Sequence, residues 1–549
     1  MSRKSSLFLI LAAVVIAYFP SLFFKLTYFD DQVAVIANHS FLSRWSNFFL
    51  IFQRDTFSVF GGGQAGYYRP LGAITMFWDA HCSGVNPFSY HLTNLILHAA
   101  ASCVFYLLLN RISGAANKLN LALALLFALH PLSVPAVAWI PGRGETLLAL
   151  FIFLSFYFFL PESQNFVLHQ FFLLCALFIK ESALVFPVLL VCFVCLKINR
   201  PGLVRIKDLW RYCLGWIFCA LFFIFAKYSA VGSFASGLGI KEILGSVAAN
   251  AGGIYLYLGK IFFPVNLSVL PVLKDANLIF GKITAILIFA LLLGGWLRSG
   301  KQKETGRRPD FKIIGFGLFW FLVFLIPSFV YPDLNRFPGF LEQRAYLPLA
   351  GILFAIQEAG LFLELPAKKY QMPLLRLAAA LILLFAILTF NRDFDFRGRM
   401  AFWSKAAKQS PHSALARKNL GAMFYLEGNM AAAENEFNAA LALAPDEPIV
   451  HNNLGLIFMN AGKFAEAQEE YRKELLLNPG YDNVYYNFGL LKYKEKDFAQ
   501  ARELWQKTVT LNPGYADAWR ALINLSLEMK EAGEARRYLE KAQNIGLQL

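Results

Sequence analysis

Charged residues are scarce in this chain. They make up 16% of its 549 residues, whereas hydrophobic residues make up 57%. Because an average soluble domain carries about 25% charged residues, this composition excludes an ordinary soluble globular protein. Cysteine is also sparse, and six of the seven cysteines fall within apolar runs. Neither a disulfide framework nor a zinc site is expected from them.

Acidic residues are outnumbered by basic ones, with 36 Asp and Glu against 51 Lys and Arg and a net charge of +15. A nucleic-acid-binding protein could have such a balance. Here, however, many of the cations lie in short loops between apolar runs, where Lys and Arg act as membrane topology signals. We therefore reject a nucleic-acid partner.

Apolar runs that approach the length needed to cross roughly 30 Å of hydrocarbon recur up to residue 390. Eleven spans are predicted, at 7–24, 89–110, 120–139, 145–160, 166–179, 183–197, 210–229, 282–298, 312–331, 345–364 and 374–390. With these spans, every basic cluster faces the cytoplasm. The clusters are Arg3/Lys4, Arg111/Lys118, Lys197/Arg200/Arg205/Lys207/Arg211, Arg298/Lys301/Lys303/Arg307/Arg308/Lys312 and Lys368/Lys369/Arg376. Residues 249–264 are expected to be re-entrant or interfacial, and the pair at 166–197 is short for two crossings.

A different period begins after residue 391. Four series of residues recur at a step of 34 positions. They are the prolines Pro445, Pro479 and Pro513; the glycines Gly421, Gly455 and Gly489; the alanines Ala433, Ala467, Ala501 and Ala535; and the aromatic residues Phe437, Tyr471 and Trp505. This is the tetratricopeptide pattern of stacked helix pairs. It predicts a half repeat at 401–411 and repeats at 414–447, 448–481, 482–515 and 516–549. Such a solenoid binds peptides or proteins and has no chemistry of its own.

Polar residues collect at the span ends that this topology places outside the cytoplasm. They are Asp30, Asp31, Tyr68, Arg69, His91, Asn94, His98, His130, Arg143, Glu145, Lys180, Glu181, Ser182, Glu342, Gln343 and Arg344. A charge near the bilayer centre costs about 2.5–3.5 kcal/mol, so several at one depth indicate a shared site. Taken singly, the cations could instead reach lipid headgroups, and the three polar residues of 91–98 could hydrogen-bond inside a bundle.

Two carboxylates with several cations fit glycosyl transfer from a lipid-linked phosphosugar. The chain has no nucleophilic Ser or Cys motif and no Gly-rich phosphate loop after a strand. A phosphate leaving group needs positive charge but no proton, and Arg binds phosphate oxygens as a fork. The acceptor hydroxyl loses a proton, which one carboxylate can take as general base.

The order of motifs also resembles a family. Seven motifs precede the repeats. In chain order they are YFDD (28–31), YYRPL (67–71), HLTNLILH (91–98), ALHPLSVPAVAWIPGRGE (128–145), KES (180–182), FFPVNLS (262–268) and EQRAYLP (342–348). This order is similar to that of the transmembrane and TPR-containing O-mannosyltransferases and their prokaryotic relatives, in the GT-C superfamily. The resemblance implies an all-α fold, with a GT-C-like glycosyltransferase domain at 1–391 and an extracytoplasmic TPR solenoid at 392–549.

The resemblance further implies inverting transfer of a mannose-like sugar from a polyprenyl-phosphate donor to an acceptor protein bound by the repeats. By similarity, Asp30 is the base and Asp31 its support or a metal contact, so a divalent cation is left open. Arg344, Lys180 and Arg143 are assigned to the lipid phosphate, with Arg69 as a further candidate. The supporting residues are His91, Asn94, His98, His130, Glu181, Gln343 and Tyr68.

Two other functions stay open at this point. A lipid-linked oligosaccharide ligase shares the many spans, but its large outer loop lies between late spans, whereas here the longest, 25–88, comes first. A non-catalytic scaffold could recruit partners through the repeats. A transporter would place polar groups at the midplane of broken helices, which the pattern lacks. We expect a bacterial inner membrane with periplasmic repeats, or an endoplasmic reticulum membrane with luminal repeats in a eukaryote.

Overall fold

The chain is helical in a computed structural model that describes residues 2–56, 66–114, 117–161, 163–196, 204–232, 239–299, 311–330, 340–363 and 368–547. Within these ranges there is no β-strand, which confirms the predicted all-α class. The chain divides into two compact units, Met1–Ser410 and Pro411–Leu549, which we name the membrane unit and the repeat unit. The loop cations Lys197, Arg200, Lys301, Lys303, Arg307 and Arg308 lie outside the described residues.

The membrane unit contains long apolar helices joined by short ones. Its α-helices are α1 (Arg3–Tyr18), α2 (His39–Leu42), α3 (Pro70–Ser83), α4 (Pro87–Ser113), α5 (Lys118–Ala128), α6 (Val134–Val137), α7 (Arg143–Phe159), α8 (Phe166–Leu177), α9 (Phe186–Cys195), α10 (Leu209–Val231), α11 (Ile240–Ala249), α12 (Gly253–Phe262), α13 (Ile279–Ser299), α14 (Phe311–Leu325), α15 (Tyr346–Leu363), α16 (Lys368–Asp393) and α17 (Arg399–Gln409).

Six helical segments among the described residues are long and apolar enough to cross a membrane. They are Arg3–Phe23, Pro87–Ser113, Ile140–Phe159, Ile206–Val231, Phe311–Phe329 and Arg376–Phe396. A seventh forms if α5 and Pro131–Val137, bent by 44°, count as one span. The other predicted runs coincide with α8, α9, α13 and α15. The number of crossings and their orientation stay predictions.

Proline explains the bend after α5. Pro131 and Pro135 have no backbone N–H, and the residue before a proline is driven out of the helical region. Accordingly, α5 ends at Ala128 and His130 adopts an extended backbone before a short 3-10 turn. The His130 ring faces inward, where its Nε2 lies 2.9 Å from the carbonyl oxygen of Ile261.

Helices α14 and α15 meet at backbone distance through two glycines. A Cβ atom added to Gly317 or to Gly351 would lie 2.4 Å from the carbonyl oxygen of the other residue. Small residues at such a crossing allow the close approach on which helix packing in a membrane depends. This approach fixes α15, and it is at the start of α15 that the EQRAYLP motif lies.

The repeat unit follows the predicted helix pairs. Its helices are α18 (Ala414–Leu426), α19 (Met430–Leu443), α20 (Val450–Asn460), α21 (Phe464–Leu477), α22 (Asp482–Lys494), α23 (Phe498–Leu511), α24 (Ala516–Glu528) and α25 (Ala532–Asn544). Within a pair, the glycine of the first helix receives the aromatic ring of the second. A Cβ at Gly455 would lie 2.5 Å from the Tyr471 ring, and one at Gly489 would lie 2.4 Å from the Trp505 ring.

The boundary between the units falls after Ser410, whereas the sequence pattern places it at 391 and assigns 401–411 to the solenoid. Helix α17 accounts for the difference. Its side chains Phe402 and Trp403 are buried against Phe29, with ring centroids 6.3 and 5.3 Å from that residue. Aromatic packing across nearly 400 residues of sequence is a tertiary contact that no local repeat pattern can reveal.

Candidate active site

The predicted topology places certain helix ends on the extracytoplasmic side of the membrane. Hydrogen bonds join some of these helices in the membrane unit. His98 Nδ1 of α4 lies 2.7 Å from the Tyr346 hydroxyl at the start of α15. Thr389, near the end of α16, donates its hydroxyl to the carbonyl oxygen of Leu129 at 2.7 Å. These two hydrogen bonds join α4 to the start of α15, and the residue after α5 to the end of α16.

Asp31 is the centre of a tight turn that follows the first span, residues 27–31, which we name the acidic turn. Its buried carboxylate accepts hydrogen bonds from Thr27 N at 2.5 Å, Thr27 Oγ1 at 2.9 Å, Phe29 N at 3.1 Å and Gln32 N at 2.9 Å. Burial raises the pKa of Asp31, and these four hydrogen bonds oppose that rise. Both oxygens are thus engaged in holding the turn, which fits a supporting role.

Asp30 differs from its neighbour in having no partner. The side chain is exposed, and among the described residues its carboxylate makes no hydrogen bond or ion pair. The surrounding protein nevertheless limits hydration of the carboxyl, and this effect, together with the charge of Asp31, raises the pKa of Asp30 to about 6. The preceding Tyr28 has a φ of 59°, which a non-glycine residue adopts only when its surroundings hold it there.

Arg143 is enclosed by the protein. The side chain is 2% exposed, and one of its terminal nitrogens forms an ion pair with Asp79 at 2.6 Å. The same nitrogen donates to Thr75 Oγ1, Nε donates to Asn94 Oδ1 at 2.9 Å, and the other terminal nitrogen donates to the Tyr90 carbonyl oxygen at 2.8 Å. This geometry does not offer Arg143 to a lipid phosphate. Asp79 is part of the network and carries no motif that would have identified it.

Lys180 and Glu181 of the KES motif each have an oppositely charged partner. Lys180 Nζ lies 2.5 Å from Glu145 Oε1, and Lys227 Nζ lies 2.9 Å from Glu181 Oε1. The sequence pattern places Glu145 among the polar residues of the outer span ends without giving it a role, and it does not single out Lys227. Their pairing depends on where α7 and α10 pack against the KES turn. Lys180 keeps 27% of its side-chain surface exposed, so it can still reach a bound anion.

Among the arginines predicted to bind the phosphate, Arg69 has fewer hydrogen bonds from its guanidinium to the described residues than Arg143 has. The Nε of Arg69 is buried and has no hydrogen-bond partner in the part of the chain that the structure describes, and the guanidinium lies 4.6 Å from the centre of the Tyr67 ring. Arg69 also acts electrostatically on Glu181, which places it beside the KES residues. The adjacent Tyr68 is buried and donates its hydroxyl to the Phe52 carbonyl oxygen at 3.0 Å, which anchors the backbone next to Arg69.

Glu342 forms a buried group of its own with cations from two other segments. Its Oε1 lies 2.5 Å from Lys260 Nζ and accepts from the backbone N–H of Ser268 at 2.7 Å, while Oε2 contacts Arg392. A cavity of about 470 Å³ adjoins Lys260 and Ser268 and is also lined by Lys408. Lys260 and Arg392 have no predicted role, since their partner Glu342 lies 82 and 50 residues away in the sequence.

Tyr257 is affected by charges from both the Glu342 group and the ion pair of Lys180 with Glu145. Its hydroxyl donates to the Leu341 carbonyl oxygen at 3.0 Å, and the charges of Arg344, Glu342 and Glu145 all act on it. Arg344 in turn donates to the Ser328 carbonyl oxygen at 3.3 Å. The charges of Arg344 and of Glu145, the partner of Lys180, thus act on the same tyrosine, whereas Arg143 is held in a separate network.

The remaining predicted residues lie inside the bundle. His91, Asn94, His98, His130 and Gln343 are all buried. Asn94 donates to the carbonyl oxygens of Val137 and Trp139, and His98 also bonds that of Ala128, so both join helices together. Within the described ranges no three His, Cys, Asp or Glu side chains are grouped so as to hold a metal ion. A requirement for a divalent cation stays a prediction.

Comparison with known proteins gives two kinds of match. Models described as tetratricopeptide repeat match residues 401–448, 448–481 and 492–547. "Protein O-mannosyl-transferase F38B6.6" of Caenorhabditis elegans is 24% identical over 76% of this chain and 60% of its own length. "Protein O-mannosyl-transferase TMTC3" of Homo sapiens is 33% identical over 27% of this chain and 16% of its own length. The resemblance stated from the motifs is therefore confirmed.

The chain spans less than two thirds of the length of these relatives. Among solved structures, a crystal structure of MamA is 21% identical with a TM-score of 0.25, covering 28% of this chain and 89% of that one. The Cut9–Hcn1 structure of the APC/C is 13% identical with a TM-score of 0.27, covering 94% of each chain.

Proposed function

We propose that the chain is a membrane glycosyltransferase that moves a mannose-like sugar from a polyprenyl-phosphate donor to a hydroxyl group of an acceptor protein. The observation that carries this proposal is the acidic turn. It presents one carboxylate, Asp30, without a partner and with a pKa of about 6, on a backbone fixed by the other, Asp31. The names of the relatives, protein O-mannosyl-transferases, support the same reaction class.

In the proposed reaction, the acceptor oxygen attacks the anomeric carbon while the bond from that carbon to the phosphate oxygen breaks. The acceptor proton passes to Asp30, and the bonding electron pair leaves with the phosphate. A single displacement inverts the anomeric centre. A general base works best when its pKa is close to the operating pH, and a carboxylate near 6 meets this condition better than one at its usual value.

Arg69, Lys180 and Arg344 are the cations proposed for the donor phosphate. Arg69 has an Nε with no hydrogen-bond partner among the described residues, and Lys180 is part-exposed. The charge of Arg344 acts on Tyr257, as does that of Glu145, the partner of Lys180. Positive charge at this point stabilises the developing phosphate without supplying a proton. Arg143 no longer belongs to this set, since its nitrogens are engaged with protein groups.

The repeat unit is proposed to hold the acceptor protein, because stacked repeats provide an extended surface for a polypeptide. We also propose that this unit and the acidic turn lie on the extracytoplasmic side, in the periplasm or the lumen. A lipid-linked donor must be met at the membrane edge, and the acidic turn follows directly on the first span.

The main test uses purified full-length protein, a panel of polyprenyl-phosphate sugars and candidate acceptor proteins. Asp30→Asn should lower transfer by about 10²–10⁴-fold, because it removes the base while keeping the shape of the side chain. The control is Asp208→Asn, since that residue is paired with Arg205 far from the acidic turn in sequence and lies in a predicted cytoplasmic cluster. Wild-type transfer by Asp30→Asn would overturn the assignment of Asp30 as base, and no transfer by the wild-type protein to any acceptor in the panel would overturn the proposed function. Transfer of a whole oligosaccharide would indicate a ligase.

The pH profile provides a second measurement on the same protein. Asp30 acts as base only when deprotonated, so kcat/KM should fall about tenfold per pH unit below its pKa of about 6 and level off above it. The profile is recorded with donor and acceptor that do not titrate in this range. A flat profile from pH 5 to 7 would contradict the assignment of Asp30 as base.

A further inference from the structure

Helix α17 contacts the acidic turn through a hydrogen bond that leads directly to Asp31. Trp403 is fully buried, and its indole Nε1–H donates to the carbonyl oxygen of Thr27 at 3.0 Å. Thr27 in turn donates both its backbone N–H and its hydroxyl to the Asp31 carboxylate. The indole therefore holds the residue at which the acidic turn begins.

Aromatic packing holds the middle of the same turn. The ring of Phe29 stacks on Trp139 with centroids 5.9 Å apart and planes 10° from parallel. Trp403 meets the Phe29 ring edge-on at 5.3 Å, and Phe402 lies at 6.3 Å. Because Phe29 immediately precedes Asp30, these contacts fix the point from which the unpartnered carboxylate projects.

The backbone between these anchors is strained. Tyr28 has a φ of 59°, and the guanidinium of Arg399, at the start of α17, lies 5.1 Å from the centre of its ring. A non-glycine residue stays in the left-handed region only where its neighbours hold it. Residues of α17 contact Thr27, Tyr28 and Phe29 in succession, so this helix is well placed to hold the strained conformation.

We infer that Trp403 is a positioning residue for Asp30, so that the first helix of the repeat pattern is also a structural part of the catalytic site. The inference rests on the proposed function. Without the indole donor, Thr27 loses its anchor and the strained turn can relax. A shift of about 1 Å in a reacting group can cost about 100-fold in rate even when the group itself is intact. Trp403 acts through the turn and does not touch the substrates.

The experiment compares Trp403→Phe, which removes only the N–H donor and part of the ring, with a matched tryptophan. Trp320 is also fully buried, and its Nε1 also donates to a backbone carbonyl oxygen at 3.0 Å, that of Leu347 on α15. Trp320→Phe therefore measures the general effect of losing such a side chain. Transfer is assayed with the full-length proteins from pH 5 to 8, with kcat and KM determined at each pH.

Trp403→Phe should lower kcat by about 10- to 100-fold with little change in KM for the donor. It should also move the acid limb of the profile to lower pH, because a relaxed turn lets water reach the Asp30 carboxyl. Trp320→Phe should leave the acid limb in place. Phe29→Leu, which removes the stack without changing α17, should move the limb in the same direction as Trp403→Phe.

Equal profiles for Trp403→Phe, Phe29→Leu and the wild type, with kcat within twofold, would overturn the inference. If Trp403→Phe cannot be recovered as folded protein, the result for Phe29→Leu decides the matter. The proposed function is judged separately by Asp30→Asn. Loss of transfer in that variant together with an unchanged profile for Trp403→Phe rejects the positioning role alone. Wild-type transfer by Asp30→Asn rejects Asp30 as base and with it the positioning role, whereas no transfer by the wild-type protein to any acceptor rejects the transferase itself.

Discussion

Ion pairs in the two units differ in how far water reaches them. In the membrane unit the side chains of Arg143 and Asp79 are 2% and 5% exposed, whereas in the repeat unit those of Arg536 and Glu540 are 82% and 59% exposed. A buried pair loses hydration on both partners and depends on complete hydrogen bonding, while an exposed pair contributes little. The enclosed pair of Arg143 and Asp79 therefore constrains the packing around it, whereas the exposed pair of Arg536 and Glu540 constrains it little.

Glycine contacts show a parallel difference. In the membrane unit, Gly317 and Gly351 meet across two helices, and the atom that a new Cβ would strike is a backbone oxygen. In the repeat unit, Gly455 faces the ring of Tyr471, a side chain 16 residues away in sequence. A side chain can shift by a few tenths of an ångström, but a helix backbone cannot do so without moving the whole helix. The membrane unit should thus tolerate change less.

The largest expected effect comes from breaking the buried pair. Arg143→Met leaves the Asp79 carboxylate buried without its partner and should destabilise the membrane unit by about 3–5 kcal/mol. The measurement is the temperature at which half of the detergent-solubilised protein remains monodisperse. Adding Asp79→Leu to the same protein should restore much of the loss, because no isolated charge is then buried. An Arg143→Met protein as stable as wild type would contradict the contrast between the units.

An intermediate effect is expected where α14 meets α15. Gly351→Ala inserts a methyl group against a backbone oxygen and should destabilise by about 1–3 kcal/mol, the range for overpacking. In the matched change, Gly455→Ala, the Tyr471 ring can shift and alanine favours the helix by up to about 1 kcal/mol over glycine, so the loss should be smaller. Thermal unfolding of the two full-length variants is compared by circular dichroism. A larger loss for Gly455→Ala would reverse the expected order.

The smallest effect should come from the exposed pair of α25. Arg536→Ala removes a contact of 3.0 Å to Glu540 at an i,i+4 spacing, and such helix pairs contribute about 0.3–0.5 kcal/mol. The change in unfolding temperature should shrink further when the salt concentration rises, because salt screens exposed charges. A salt-independent loss above 1 kcal/mol would show that this surface pair behaves like a buried one.

Sequence reasoning identified the acidic turn and the KES, EQRAYLP and YYRPL segments, but it could not rank their cations. The motifs assign Arg143, Lys180 and Arg344 to binding of the lipid phosphate and make Arg69 only a further candidate. The structure engages Arg143 with Asp79, 64 residues away, and leaves Arg69 with an unpartnered Nε. Which cation is available depends on the acid that folding brings beside it, and no motif encodes that neighbour.

The sequence alone determined what is local: the helical class, the repeats with their 34-residue step, and the acidic turn, whose Asp31 finds its hydrogen-bond donors within four residues. Tertiary structure alone decided which charges are paired and that α17, which lies in a segment matched by a tetratricopeptide model, packs against the acidic turn. Short-range spacing fixes backbone periodicity and turn hydrogen bonds directly. Pairs such as Lys260 and Glu342, 82 residues apart, exist only after distant helices have packed and excluded water from both charges.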